Sequence, residues 1–264
     1  MAVQTVSTQV RELERSLGHS LLKPSGRRLV LTEAGMAAMR QADQIFHLGE
    51  LLPRILGDAV SSSGIRLAIG ISEGLPKLVA LTLMQPLLQS PQLRLLCDEG
   101  AFDDLLGDVA LHKFDAVLAD RAAPQNPNLK LYSHAVGVSK LAWYAPASLF
   151  AAVKKGFPQS LATTPVLLPT TQVAVRARLD QWFERMSIRP LIVGEFKDSA
   201  LLKTFGACGM GVFPAAEIAH DELVARYRVR RIGPCEGVEE HFYLIVAEKK
   251  VQHPLIQQLL KRRH

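Results

Sequence analysis

The polar residues near the start of the chain have the types and spacing of a base-reading surface. On a 3.6-residue wheel, Gln4, Thr5, Thr8, Arg11, Glu12 and Arg15 share one face of the segment VQTVSTQVRELERSLG, with Ser7 and Gln9 on its flanks. Glutamine can pair in a bidentate manner with adenine, threonine offers a hydroxyl and a methyl that meets thymine, and arginine serves guanine or phosphate. Arg27 and Arg28, further along, have the reach for the phosphate backbone or an adjacent minor groove. An ordinary solvated helix face carries the same residue types, so the surrounding elements must decide.

Other chemistry is sparse. The histidines show no H-x-x-x-H or H-x-x-E-H spacing, and Cys97, Cys208 and Cys235 are too irregularly placed for a zinc site or a disulfide framework, so reduced, buried thiols are expected. GACGMG at 206–211 lacks both G-x-G-x-x-G and the P-loop lysine and reads as a tight turn. No cofactor, metal site or catalytic apparatus is expected. No apolar window reaches membrane-spanning length and no secretory leader pattern opens the chain, so the expected address is the cytoplasm, with no membrane partner. The net charge of +6 is unevenly spread: residues 1–32 carry +3 and residues 33–60 carry −2. A basic head followed by an acidic segment fits a nucleic-acid-binding end, although a charged solvated face would look similar.

Val3, Val6, Val10, Leu13 and Leu17 recur at steps of three and four, the buried stripe of an amphipathic helix that Gly18 ends. LLKPSGRRLVLT at 21–32 follows, with Pro24, Ser25 and Gly26 between two β-prone pieces. Helix and basic hairpin together make half of a winged helix. Thr32 can cap a further helix in which Ala38, Ala42, Ile45, Gly49, Leu52 and Leu56 form a heptad seam, with Pro53 expected to kink or interrupt it. Ser61, Ser62, Ser63 and Gly64 supply a hinge.

From Ile65 the pattern alternates strand and helix. Strands are expected at 65–71, 93–97 and 115–119 with helices at 75–89 and 102–112, which makes a parallel α/β sheet. A second such unit has strands at 141–145, 166–168 and 191–196 and helices at 173–186 and 199–206; a strand at 241–247 and a helix at 254–263 close the chain.

With these elements in place, residues 3–35 resemble the recognition helix, wing and start of the linker helix of LysR-type transcriptional regulators, through V-S-x-Q-V-x-x-L-E-x-x-L-G-x-x-L and R-x-x-x-L-T-x-x-G. Leu22 and Pro24 depart from the residues usual in that wing. Three further segments, LHKFDAVLAD (111–120), IVGEFKDSALLKTFGA (192–207) and AEKKVQHPLIQQL (247–259), are similar to the subgroup that activates sodium/proton antiporter genes.

The resemblance implies an α/β fold class: a truncated winged helix-turn-helix and linker helix, then a two-lobed periplasmic-binding-protein-like effector domain. The expected divisions are 1–32 for the partial DNA-binding domain, 33–60 for the linker and dimerisation helix, 61–64 for the hinge and 65–264 for the effector domain. Within the last, lobe I is placed at about 65–136 and 236–264 and lobe II at about 137–235. Residues 1–2 cannot encode the helices that precede a recognition helix, so the chain is expected to be truncated or its start misplaced, to expose the valine stripe and to bind DNA poorly as it stands.

The same resemblance implies a small effector between the lobes, near Ser72, Glu73, Asp120, Thr170, Thr171, Asp198 and Ser199. Hydroxyls at helix N-termini suit an anion, whereas carboxylates suit a hard cation; the subgroup favours sodium or lithium. Expected partners are double-stranded operator DNA and a second or further copies of the chain as homodimer or homotetramer, with RNA polymerase admitted as another. The main alternative is a truncated effector-binding protein that does not bind DNA and sequesters full-length partners. An α/β enzyme using the cleft is a weaker rival, since no nucleophile, metal or cofactor motif supports it.

Overall fold

A computed structural model of the protein describes residues 3–26, 28–61, 64–126 and 129–261. The chain divides into two units, Met1–Ser62 and Ser63–His264.

In the first unit, helix α1 (Val3–Leu17) leads into the antiparallel hairpin β1 (Leu22–Ser25) and β2 (Arg28–Leu31), followed by the long helix α2 (Glu33–Ser61). Gly18 ends α1 by adopting φ +71°, a left-handed conformation that costs glycine little. The Glu14 carboxylate then accepts from Leu21 N at 2.7 Å and Leu22 N at 3.0 Å, which fastens the hairpin to the helix before it. Thr32 caps α2: its Oγ1 accepts from Gly35 N at 2.9 Å and donates to Ser20 O at 2.6 Å. Gly35 permits that crossing, because a Cβ there would overlap the Leu21 carbonyl oxygen. The expectation that Pro53 breaks the helix fails as an interruption. Proline removes one backbone donor, yet α2 continues through it, with Gly49 one turn earlier adding no side chain.

The second unit is built on two long strands. Strand β6 (Tyr132–Pro146) and strand β10 (Val229–Val246) run antiparallel along nearly their full length. At one end β10 pairs with β5 (Ala116–Ala119), which lies beside β3 (Ile65–Ser72) and then β4 (Leu93–Gly100), the last three mutually parallel. Helices α3 (Lys77–Leu88) and α4 (Phe102–Ala110) are the crossovers between them. At the other end β6 pairs with β9 (Phe213–Ala216), and the parallel pair β7 (Pro165–Pro169) and β8 (Leu191–Phe196) joins through a bridge between Val166 and Val212. Helices α5 (Ala147–Lys154), α6 (Ala174–Arg185), α7 (Ser199–Ala207) and α8 (His220–Tyr227) surround this lobe, and α9 (Pro254–Lys261) closes the chain.

The parallel pairing expected from alternation therefore holds for β3, β4, β5 and for β7, β8, while β6, β9 and β10 pair antiparallel. Sequence reading had seen only the ends of β6 and β10. The register of the pair breaks between Arg231 and Gly233 and between Pro234 and Glu239, where Gly233, Pro234 and Gly237 interrupt any alternating pattern.

One large core, with Leu67, Leu83, Leu202, Phe213 and Phe242, runs through both lobes, and each lobe adds a smaller one. Trp143, Trp182 and Phe183 pack edge and tilt at centroid distances of 5.2–5.9 Å in one. Leu105, Leu106, Val109, Phe114 and Val117 fill the outer side of the other. The expectation of buried thiols holds for Cys235 only: Cys97, on strand β4, and Cys208, after α7, are exposed. Among the described residues no helix is long and apolar enough to cross a membrane.

Candidate effector cleft and nucleic-acid interface

On α1, Ser7, Thr8, Arg11 and Arg15 are exposed, as is Arg28 at the start of β2. Gln4 and Thr5 lie on the α1 backbone, but their side chains fall outside the described residues, as does Arg27 altogether. Val6, Leu13 and Leu17 of the apolar stripe are about half exposed, so this unit leaves α1 with an uncovered apolar face as well as a polar one. Helix α2 likewise exposes Ile45, 67%, and Phe46, 72%.

The cleft lies within the second unit, where the carboxyl ends of two sets of parallel strands face each other. From one lobe come Ser72 at the end of β3 and Glu73 after it, Glu99 near the end of β4, Asp120 after β5 and Lys77 opening α3. From the other come Thr170 to Val173 after β7, and Lys197, Asp198 and Ser199 at the β8 to α7 junction. Two ion pairs of opposite polarity span the gap. Lys77 Nζ is 2.9 Å from Asp198 Oδ2 and 2.9 Å from Glu99 Oε1, while Lys197 Nζ is 2.7 Å from Glu73 Oε2.

Asp198 has two tasks. Its Oδ1 caps α7, accepting from Ala200 N and Leu201 N at 2.7 Å each, and its other oxygen meets Lys77. Partial burial works against its charge, but the Lys77 bond and the two backbone donors outweigh that and hold the carboxyl below its ordinary range. Lys77 is held above its ordinary value in the same way: burial opposes its charge and the two carboxylates override it. Asp120 stands apart, 3.7 Å from Arg121 Nε, with Ser72 Oγ at 3.5 Å. Gly74 is required beneath it, since a Cβ there would sit 2.5 Å from Asp120 Oδ2.

These residues border two connected spaces that share Gly74, Val173 and Lys197. The outer one includes Ser72, Glu73, Asp120 and Arg121. The inner one includes Ser199, Lys203 and Glu240 among apolar walls from Leu141, Val175, Phe196 and Pro214. The expected set is thus divided: Ser72, Glu73 and Asp120 line the outer space, Ser199 the inner, and Asp198 ties the lobes together at the rim. Thr170 and Thr171 line neither; the Thr170 backbone bonds Phe196 O and Val173 N, its hydroxyl is buried without a partner, and Thr171 faces solvent. Among the described residues no group of three or more His, Cys, Asp or Glu is placed to hold a metal ion.

The first unit's helix and basic hairpin and the second unit's two-lobed cleft occur in one chain. The family model for the LysR substrate binding domain matches residues 62–262, and that for the bacterial regulatory helix-turn-helix protein, lysR family, matches residues 1–36. The chain belongs to the LysR family of transcriptional regulators. Within this LysR family, the chain is 29% identical over 257 residues to the transcriptional activator protein NhaR of Escherichia coli (strain K12), covering 97% of this chain and 84% of that one. Full-length CbnR complexed with its target DNA superposes with a TM-score of 0.56 at 18% identity, covering 98% of this chain and 88% of that one. The cofactor-binding domain of the Cbl regulator gives 0.59 at 17% identity, over 76% of this chain and 89% of that one. At such identities the superpositions speak for the LysR fold.

Sequence reading missed the cleft's lysines and Glu240. Lys77 and Lys197 open a helix and end a strand, positions that look like ordinary surface charge. Lys203 carried a legible signal: with Leu202 and Gly206 it lies on the buried stripe of α7, where a cation is out of place. Glu240 had none, because the strand that positions it breaks register just before it.

Proposed function

We propose that this LysR-family chain is a DNA-binding transcriptional regulator switched by a small effector in its interlobe cleft, and that it activates sodium/proton antiporter or related stress genes in the cytoplasm. The observation that carries the switch is the pair of reciprocal ion pairs across a cleft walled by two lobes that β6 and β10 join. Such a joint permits hinge closure, and a ligand preferring one closure state shifts the balance. The similarity to NhaR over nearly the whole chain supports the activator assignment.

In this reading residues 1–32 carry the DNA contacts through Gln4, Thr5, Ser7, Thr8, Arg11, Arg15, Arg27 and Arg28, α2 pairs protomers into a dimer or tetramer, and residues 61–64, of which 62 and 63 lie outside the described residues, form the hinge to the effector domain at 65–264. The exposed Ile45 and Phe46 support pairing along α2. RNA polymerase is the partner through which such an activator works.

Sodium or lithium as effector is a second reading, favoured by the antiporter-activator similarity. The geometry lends it little: Glu73 and Asp198 each hold a lysine, and Asp120 lies beside Arg121. A reporter gene behind an antiporter promoter tests the proposal. Activation should depend on the chain and be lost in Ser199→Phe, which fills the inner space; a response untouched by Ser199→Phe removes the cleft from the mechanism. A response to sodium that exceeds that to choline at equal ionic strength supports the cation.

A further inference from the structure

Lys203 is 5% exposed, and among the described residues its ammonium has a single hydrogen-bond partner, Ser199 Oγ at 3.3 Å. An ammonium has three protons to donate, and a buried charge without partners is costly. The lobe's other buried cation shows the contrast: Arg176 bonds Asp180, Glu195 and the Pro169 carbonyl. Among the described residues no carboxylate reaches within ion-pair distance of Lys203; Glu240 borders the same space but stands farther off. Burial pushes the Lys203 ammonium down to about 8, against the opposing charges of Glu240 and Asp198, and pushes the Glu240 carboxyl up to about 7, against Lys203. The walls between them are apolar: Leu141, Val175, Phe196 and Pro214.

We propose that the inner space takes a small organic acid, its carboxylate on Lys203 Nζ and Ser199 Oγ and its aliphatic body against Phe196, Val175 and Pro214. This rests on the reading of the cleft as the effector site. The ligand carboxylate supplies the acceptors that the Lys203 ammonium lacks, in a charge-assisted bond. It also faces Glu240, which must be protonated to donate to it or at least not repel it. Ligand binding therefore favours proton retention on both groups, and affinity falls as pH rises through the range where each loses its proton. The other charges facing them bear on the same two protons: Asp198, at the β8 to α7 junction beside Lys197, favours the charged Lys203 and Lys77 on α3 opposes it, while Asp120 after β5 favours the protonated Glu240 and Arg178 on α6 opposes it.

The test is calorimetric titration of the full chain with sodium isovalerate, its neutral isostere isovaleramide, the cation isopentylamine, sodium chloride and lithium chloride at matched ionic strength. Isovalerate should bind, isovaleramide at least about tenfold more weakly, the amine and the salts not at all. Lys203→Met, which keeps the length and removes the charge, should weaken isovalerate about tenfold or more while leaving isovaleramide unchanged. Should that variant not fold, the acid and amide comparison in the natural chain still decides. Equal binding of acid and amide, binding of the amine or the metal ions alone, or no binding by any probe each overturns the organic acid. The cleft's role as the switch fails separately, on the Ser199→Phe reporter result.

Discussion

Lys77 and Asp198 provide a measure of what holds the two lobes together. Their side chains are 48% and 37% exposed and their charged atoms lie 2.9 Å apart, so the pair sits in high dielectric. An exposed ion pair of this kind contributes about 0.2–1 kcal/mol, and the shared Glu99 carboxylate puts the expected value in the upper half of that range. Lys77→Met removes the cation, and Asp198→Asn removes the charge while keeping an oxygen to cap α7, since asparagine caps as well as aspartate. The double-mutant cycle on denaturant unfolding of the full chain therefore isolates the cross-cleft term from the cap. A coupling of about 0.5–1 kcal/mol is expected at about 0.1 M salt, shrinking toward zero near 1 M as the screening length falls from roughly 10 to 3 Å. Zero coupling at low salt, or coupling indifferent to salt, would refute the view that opposite charges fasten the lobes.

Three further outcomes are expected. Gly74→Ala places a Cβ 2.5 Å from Asp120 Oδ2 and must displace a carboxylate enclosed by Ser72 and Arg121, so denaturant unfolding should show a loss of about 1–3 kcal/mol; an unchanged midpoint contradicts the close approach. Glu240 has its folded carboxyl raised to about 7, so the folded state holds a proton that the unfolded state has released: wild-type stability should fall as pH rises from the ordinary carboxyl range to about 7, and Glu240→Gln should flatten that fall in thermal melts. Arg11→Ala should weaken operator binding in fluorescence anisotropy; a uniform loss with a salt slope shallower by about 1 marks a phosphate contact, relaxed base preference marks direct readout, and no change means α1 presents another face.

What could be read from the sequence was set by how local each determinant is. The caps and stops of the first unit were legible, because Gly18 and Thr32 act on their own or adjacent backbone. The parallel strands β3 and β5 were legible as apolar runs buried on both faces. The long antiparallel pair was not, since half of β10 pairs across register breaks and alternates too poorly to show a period. In the cleft, carboxylates and hydroxyls at strand ends were picked out by residue type, and Ser72, Glu73, Asp120 and Ser199 do border the two spaces. Their cationic partners were not, because Lys77 reaches Asp198 across more than a hundred residues of sequence and nothing local announces the contact. Thr170 and Thr171 border neither space, since a hydroxyl at a strand end need not face the space that the strand points toward.

The cross-cleft pairs also bear on how any salt response of this protein is to be interpreted. Lys77 with Asp198 and Lys197 with Glu73 are exposed and opposite in polarity, so any electrolyte screens both and loosens closure, whether or not an ion is bound. A transcriptional response to added sodium chloride is therefore compatible with an empty cation site. Only a difference between sodium and potassium or choline at equal ionic strength reports specific coordination, because screening depends on charge and concentration and not on which monovalent cation supplies them. An organic acid bound at Lys203 acts in the contrary direction. It neutralises a buried cation between the walls and favours the closed form, so its effect should grow as the ion pairs at the rim are weakened by salt and closure comes to rest on the ligand alone. Equal effects of the acid at low and high ionic strength would separate the inner space from the rim.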